Sequence, residues 1–168
     1  SGLLDWELLT GDFTERSRDA PGPALIYYDP FSYKTDGALW TPEAFMHLRA
    51  RCGDGGAEVY TYSAATAVRV ALLSAGFFVA EGVATGPKAT TTVAFTDGFT
   101  ARKHPAAGAL LGETWLERWR RSSSQFPASL PESERENFAR RILGHPQFAG
   151  WRQKVAQASS LLPEFGRD

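Results

Sequence analysis

Residues Ala24–Tyr28 form a short apolar and aromatic run, Ala-Leu-Ile-Tyr-Tyr, with Pro21-Gly22-Pro23 before it and Asp29-Pro30 after it. A run of this kind between turn formers reads as a strand covered on both faces, and such a strand belongs in a sheet flanked by helices. Asp29 then falls where the strand stops. In open α/β sheets, ligands sit in the crevice outside the carboxyl ends of the strands. A carboxylate there, followed by an aromatic-rich loop through Phe31 and Tyr33, is well located for chemistry. An Asp-Pro turn with no further role accounts for the same residues.

The neighbouring segments support an alternating architecture. Trp6–Leu9 gives a short apolar strand signal leading into Thr10-Gly11-Asp12-Phe13, which places a second acid after a strand. Thr41-Pro42-Glu43 predicts a helix start, with a threonine cap, proline at the first helical position and an acid in the first turn. Phe45 and Leu48, with Met46 beside them, give that helix an apolar stripe, and it ends near Cys52-Gly53. Glu58–Tyr62 alternates like a strand. Ser63 is the expected cap of a helix over Ala64–Ala75 with a Val68, Leu72 and Leu73 face, closed by Gly76. Phe77–Val83 and Thr90–Phe95 read as strands joined by a turn at Thr85–Lys88. The fold class is therefore α/β: a mainly parallel sheet with an antiparallel hairpin at its edge.

Beyond Asp97 the sequence turns helical, with helices expected near Glu113–Arg121, Glu132–Leu143 and Gln147–Ser159. Two domains follow, residues 1–96 and a helical extension over 97–168. Trp115 and Trp119 share one helical face with Arg118, Arg120 and Arg121 around them, an arrangement that serves core packing or stacking on nucleic-acid bases.

Charge and cysteine content narrow the classes further. The formal net charge is -1. Residues 1–96 carry 7 basic and 11 acidic side chains and residues 97–168 carry 11 and 8, but the excess in the second part alternates in sign along helices, as a solvated face does. Cys52 is the single cysteine, which excludes an internal disulfide and a multi-cysteine zinc site and reads as an inert thiol. His47, His104 and His145 are scattered without metal spacing or a paired nucleophile, so no metal and no hydrolase chemistry are expected. No apolar run reaches bilayer length and no basic-then-apolar leader is seen, which points to a cytoplasmic protein without a membrane partner.

With these features aligned, the chain resembles the carboxyl-terminal half of a class I S-adenosylmethionine-dependent methyltransferase, and more narrowly the MnmC/MnmD family that modifies tRNA. The carrying residues are Thr10–Phe13, then Asp29, Phe31, Lys34 and Leu39-Trp40, then Thr61–Phe77 and Gly86-Pro87-Lys88. The resemblance covers roughly residues 3–96 and implies a partial Rossmann-like sheet. In that family the motif after the strand usually runs Asp-Gly-Phe, Ala or Ser, Pro, any residue, Lys. Pro30 and Tyr33 depart from it here, and Pro30 removes a backbone donor.

By the resemblance, Asp12 lies near the adenine amino group of the cofactor, Phe13 also binds the cofactor, Asp29 and Phe31 lie in the loop beside its methionine end and the acceptor amine, and Asp29, Phe31 and Lys34 form the catalytic set. The implied reaction moves a methyl group from S-adenosylmethionine to an exocyclic amine on a modified wobble uridine of tRNA. Asp29 would orient the amine or accept its proton, while Lys34, Lys88 and the Arg118–Arg121 group are candidate phosphate contacts. The glycine-rich turn and second strand that open a complete enzyme of this kind are not found, and Gly53–Gly56 lies in a helix-to-strand connection where it cannot replace them. A fragment of a longer enzyme, with Ser1-Gly2 at a cut edge and little activity alone, is the simplest account. The alternatives are a non-catalytic RNA-binding module, and a homo-oligomer in which a neighbouring chain covers the open sheet.

Overall fold

Four short β-forming segments meet in one sheet. Leu25–Tyr27 is β1, Glu58–Thr61 is β2, Phe78–Gly82 is β3 and Thr91–Phe95 is β4. In the computed structural model, which describes residues 2–32, 35–84, 89–105, 109–127, 130–150 and 153, they bond in the order β1-β2-β4-β3. β1 is parallel to β2, with Ile26 opposite Val59, and β4 is antiparallel to both of its neighbours. β1, β2 and β3 thus point the same way and share one carboxyl end. The expected edge hairpin is present, with β4 inserted inside the sheet and β3 outermost.

Local signals set the helices. α1 is a single turn, Phe13–Arg16, and α2 is Pro42–Arg51. The Thr41 hydroxyl accepts from the Ala44 N–H at 3.2 Å, as its position before Pro42 predicts. α3, Thr66–Ser74, starts later than the sequence indicates. Ala65 takes the cap position without a side-chain bond, and the Ser63 hydroxyl instead accepts from the Ala65 N–H at 3.4 Å. Gly76 ends the helix segment at φ 87°, a conformation that favours glycine. α4 is Gly98–Lys103, α5 is Glu113–Arg120 and α6 is Arg135–Gly144, entered through a 3-10 turn at Glu132–Glu134. Of the helix expected over 147–159, a 3-10 turn at Pro146–Phe148 is seen, and most of the remainder lies outside the described residues.

The sheet is covered unequally. One face carries α2, α3, α5 and α6 over a core that includes Phe45, Val59, Leu72, Val79, Leu116, Trp119, Phe138 and Phe148. Residues on both sides of position 97 are thus packed into a single apolar cluster. Among the described residues, the other face carries a small cluster of Ala80, Val93, Phe95 and Ala101 beneath α4. Leu25 and Tyr27 of β1 project from that face into solvent, Tyr27 being 78% exposed.

The strand expected over Trp6–Leu9 is overturned by the structure. Trp6–Leu9 is not a strand: it joins no ladder, and Leu3, Leu4, Trp6 and Leu8 are all exposed. A strand exists only against a partner, and no described strand lies alongside these residues. Asp12 therefore does not end a strand; it caps α1, accepting from the Glu15 N–H at 3.1 Å. Of the two uses the sequence leaves open for the paired tryptophans, the structure takes core packing. Trp115 and Trp119 are buried, Trp115 stacked on Phe148 with ring centroids 6.4 Å apart and Trp119 donating its indole N–H to the Gln125 carbonyl at 2.7 Å. Both rings belong to the core, which leaves their faces unavailable for bases.

The outer edge of β3 is protected by bonds from outside the sheet. The Leu111 N–H donates to the Val79 carbonyl at 2.9 Å, and the Gln147 amide accepts from Val79 N–H at 2.7 Å and donates to Val79 C=O at 2.8 Å. One glutamine side chain thus imitates a strand partner on the outer edge of the sheet.

Candidate functional site

At the common carboxyl end of β1, β2 and β3, a cleft of about 280 Å³ opens between Tyr28, Asp29, Tyr60, Tyr62, Val83 and Thr92, with Tyr27, Thr61 and Thr91 completing its lining. Its walls are mainly apolar and aromatic, with one carboxylate, Asp29. The position follows from chain direction: β1 delivers Tyr28-Asp29, β2 delivers Thr61-Tyr62, and β4 starts at the same level with Thr91-Thr92.

Tyr28 anchors the floor. It is buried against Phe45 and Trp40, with Phe13 of α1 edge-on at 5.8 Å, and its hydroxyl donates to the Leu39 carbonyl. Burial, and then the nearby Asp36 charge, push its phenol well above the ordinary tyrosine range. Tyr28 therefore serves as a neutral wall. Tyr60 lies toward the other face, donating to Glu58 at 2.9 Å and in hydrogen-bond contact with His104 at 2.9 Å. Burial and the Glu58 hydrogen bond push its phenol up to about 12.

The loop after Asp29 is held by three side chains that the motif alone does not reveal. Asp36 accepts from the Phe31 N–H at 2.9 Å, Trp40 donates its indole N–H to the Phe31 carbonyl at 2.8 Å, and the Tyr62 hydroxyl donates to the Pro30 carbonyl at 3.2 Å. Pro30 contributes no donor, but its carbonyl is used. From the sequence, Asp36 reads only as part of an Asp-Gly turn and Trp40 only as part of the motif. Their roles depend on a loop that folds back on itself.

The expected site residues separate by position. Asp29 lines the cleft and is exposed. Phe31 stands next to it at 76% exposure, an apolar ring offered to solvent beside the cleft mouth. Asp12 is exposed at the head of α1 and Phe13 reaches the site through its contact with Tyr28. Lys34, Tyr33 and the Gly86-Pro87-Lys88 turn lie outside the described residues. The Gly53–Gly56 cluster precedes β2, at the end of the sheet away from the cleft, so it takes no part. Cys52 donates its thiol to the Leu48 carbonyl at 3.4 Å and burial pushes its pKa up, the state of an unreactive thiol.

Aromatic rings beside a single carboxylate form a donor set suited to a cationic ligand end, such as a sulfonium or an ammonium group. The residues present therefore fit the methionine end of a sulfonium cofactor. Among the described residues, no cluster of His, Cys, Asp or Glu is arranged to hold a metal, and no helix is long and apolar enough to cross a membrane.

Known proteins resemble this chain over part of their length. The bifunctional protein MnmC of tRNA 5-methylaminomethyl-2-thiouridine biosynthesis from Ralstonia nicotianae is 41% identical over 94 residues, covering 55% of this chain and 14% of that protein. The protein of the same name from Cupriavidus necator is 34% identical over 119 residues, covering 70% of this chain and 18% of that one. The chain thus spans less than a fifth of the curated relatives it matches. A crystal structure of MnmC2 from Aquifex aeolicus superposes with a TM-score of 0.48 at 19% identity, over 84% of this chain and 48% of that one. A family profile described as S-adenosyl-L-methionine-dependent methyltransferase matches residues 5–97, which include every residue of the cleft, and the chain belongs to that family.

Proposed function

We propose that this chain supplies the acceptor side of a methyl-transfer site acting on an exocyclic amine of a modified wobble uridine in tRNA, in the cytoplasm. The observation that carries the reading is the position of Asp29, a carboxylate at the end of a parallel strand, inside a tyrosine-lined cleft at the carboxyl end of the sheet. When bound, S-adenosylmethionine supplies a methyl group already activated by its sulfonium. What remains for the protein is mainly to hold the amine in line and unprotonated.

Asp29 fits that task, because a carboxylate at the cleft can accept a hydrogen bond from the amine and take up the proton that leaves it. Tyr28 and Tyr62 wall the cleft, and the Asp36, Trp40 and Tyr62 contacts fix the loop that carries Asp29 and Phe31. Phe31 offers an exposed ring on which a uridine base can stack. Asp12 remains the assignment for the adenine end, Phe13 for a further cofactor contact, and Lys34 for the catalytic set and a phosphate contact. The exposed edge of β1, beside Leu25 and Tyr27, is where a strand of a second copy would pair.

The test is calorimetric titration of S-adenosylmethionine together with labelled methyl transfer to tRNA that carries the free amine. Weak but amine-dependent label is expected for the wild-type chain, in keeping with a chain that supplies one side of the site, with that label lost in Asp29→Ala. Equal transfer to tRNA lacking the amine, or full transfer by Asp29→Ala, would count against the reading.

A further inference from the structure

A second and larger cavity, of about 560 Å³, opens between α3 and α5 and is lined by Arg69, Glu81, Thr90, Trp115, Arg118 and Ser122 among others. Its relation to the cleft is the informative point. Thr90 faces this cavity while Thr91 and Thr92 line the cleft, so the first residues of β4 separate the two. Arg69 lies in that partition and is 5% exposed. Its guanidinium donates to the Thr92 hydroxyl at 3.1 Å, the Thr91 carbonyl at 3.0 Å and the Thr90 hydroxyl at 3.3 Å, and pairs with Glu81 at 3.2 Å.

A buried guanidinium with this many bonds is a fixed charge, not a mobile one. Arg118 enters the same cavity from α5, is exposed, and has no ion pair among the described residues. Two cations and one carboxylate, already engaged by Arg69, therefore face a polar space of ligand size. Burial acts most strongly to lower the Arg69 pKa, Glu81 opposes it, and Arg118 adds to the lowering.

We infer that the cavity between α3 and α5 is a phosphate subsite, in which Arg118 binds and Arg69 positions a backbone phosphodiester of the nucleic-acid substrate whose base enters the adjoining cleft. This rests on the proposed reading of the cleft as a tRNA site. The chemistry suits a phosphodiester: guanidinium forks match phosphate oxygens, with the Ser122 and Thr90 hydroxyls close by. Trp115, stacked on Phe148, shapes the wall without offering a free face. Phosphate contacts fix register, and a fixed phosphate one partition away from the cleft would set how deep the base can enter.

The test is fluorescence anisotropy of a labelled RNA anticodon stem-loop on the full chain over a range of salt concentrations. Arg118→Ala should weaken binding about 10-fold and reduce the salt slope by about one. Arg118→Lys should recover most of the salt slope, and Arg102→Ala, on α4 over the opposite face, should change neither. Calorimetry with S-adenosylmethionine should give the same heat for Arg118→Ala and wild type. RNA binding unchanged in Arg118→Ala, or weakened as much by Arg102→Ala, would overturn the subsite and leave the tRNA reading intact. A loss of cofactor binding in Arg118→Ala with RNA binding unchanged would assign the cavity to the cofactor and overturn the inference. No binding of RNA by folded wild-type chain would overturn both readings together.

Discussion

The Trp40 indole N–H donates to the Phe31 carbonyl at 2.8 Å, tying the core of the domain to the loop that carries Asp29. Trp40 is buried between Tyr28, Phe45 and Tyr62, so its orientation is set by packing and the bond inherits that rigidity. Trp40→Phe keeps much of the aromatic packing and removes the donor. It should cost about 2 kcal/mol of stability, combining the lost bond with the smaller ring. Urea unfolding measures this, and a midpoint equal to wild type would show that the loop is held by other means.

Asp29 and Asp36 should behave oppositely on substitution. Asp29 is exposed at the cleft, so Asp29→Ala should leave stability within about 0.5 kcal/mol of wild type while methyl transfer falls about 100-fold. Asp36 accepts the Phe31 N–H, and Asp36→Ala should lower stability by about 1 kcal/mol through loss of a charge-assisted bond. Paired unfolding and transfer measurements separate the two; a large stability loss in Asp29→Ala would make it a structural turn residue.

Gln147 should matter more than a glutamine usually does. Its amide satisfies Val79 N–H, Val79 C=O and the Leu111 carbonyl, the last at 2.8 Å. Gln147→Ala leaves these groups without their partner and should destabilise the protein by about 2–4 kcal/mol. Hydrogen exchange at the Val79 amide should accelerate at the same time. If that amide exchanges at the wild-type rate in the variant, the Gln147 side chain is not what protects it.

Tyr60 predicts a loss of stability at alkaline pH. Its folded phenol is pushed up to about 12 from the ordinary value of 10.0 by burial and the Glu58 hydrogen bond. Between those two values the unfolded chain gives up the proton and the folded chain keeps it, so the folded state binds more protons and stability falls as pH rises. The contribution is complete below about pH 10 and lost as pH passes about 12. Tyr28, raised in the same direction, adds to the fall. Denaturant midpoints taken from pH 9 upward should show a shallower decline in Tyr60→Phe than in wild type.

Much of this molecule is written in short stretches of sequence. The cap at Thr41-Pro42, the apolar stripe of Phe45 and Leu48, the alternation of Glu58–Thr61 and the hairpin of β3 and β4 all depend on contacts within a few residues, and each is legible for that reason. So is Asp29 at the end of β1. Trp6–Leu9 carries a strand signal of the same strength and forms no strand, because pairing requires an edge that the local sequence cannot supply.

Arg69 reads as one polar position in an apolar helix, yet Glu81 and Thr92, 12 and 23 residues away, turn it into a buried fixed charge between two cavities. Gln147 is an ordinary polar residue until Val79, 68 residues away, needs a partner. By itself, then, the sequence determined the four segments that pair in the sheet, the helices α2, α3, α5 and α6, and where the cleft carboxylate lies. The tertiary structure alone decided which polar side chains are buried and which apolar ones are left in solvent, because burial and pairing depend on residues distant in the chain.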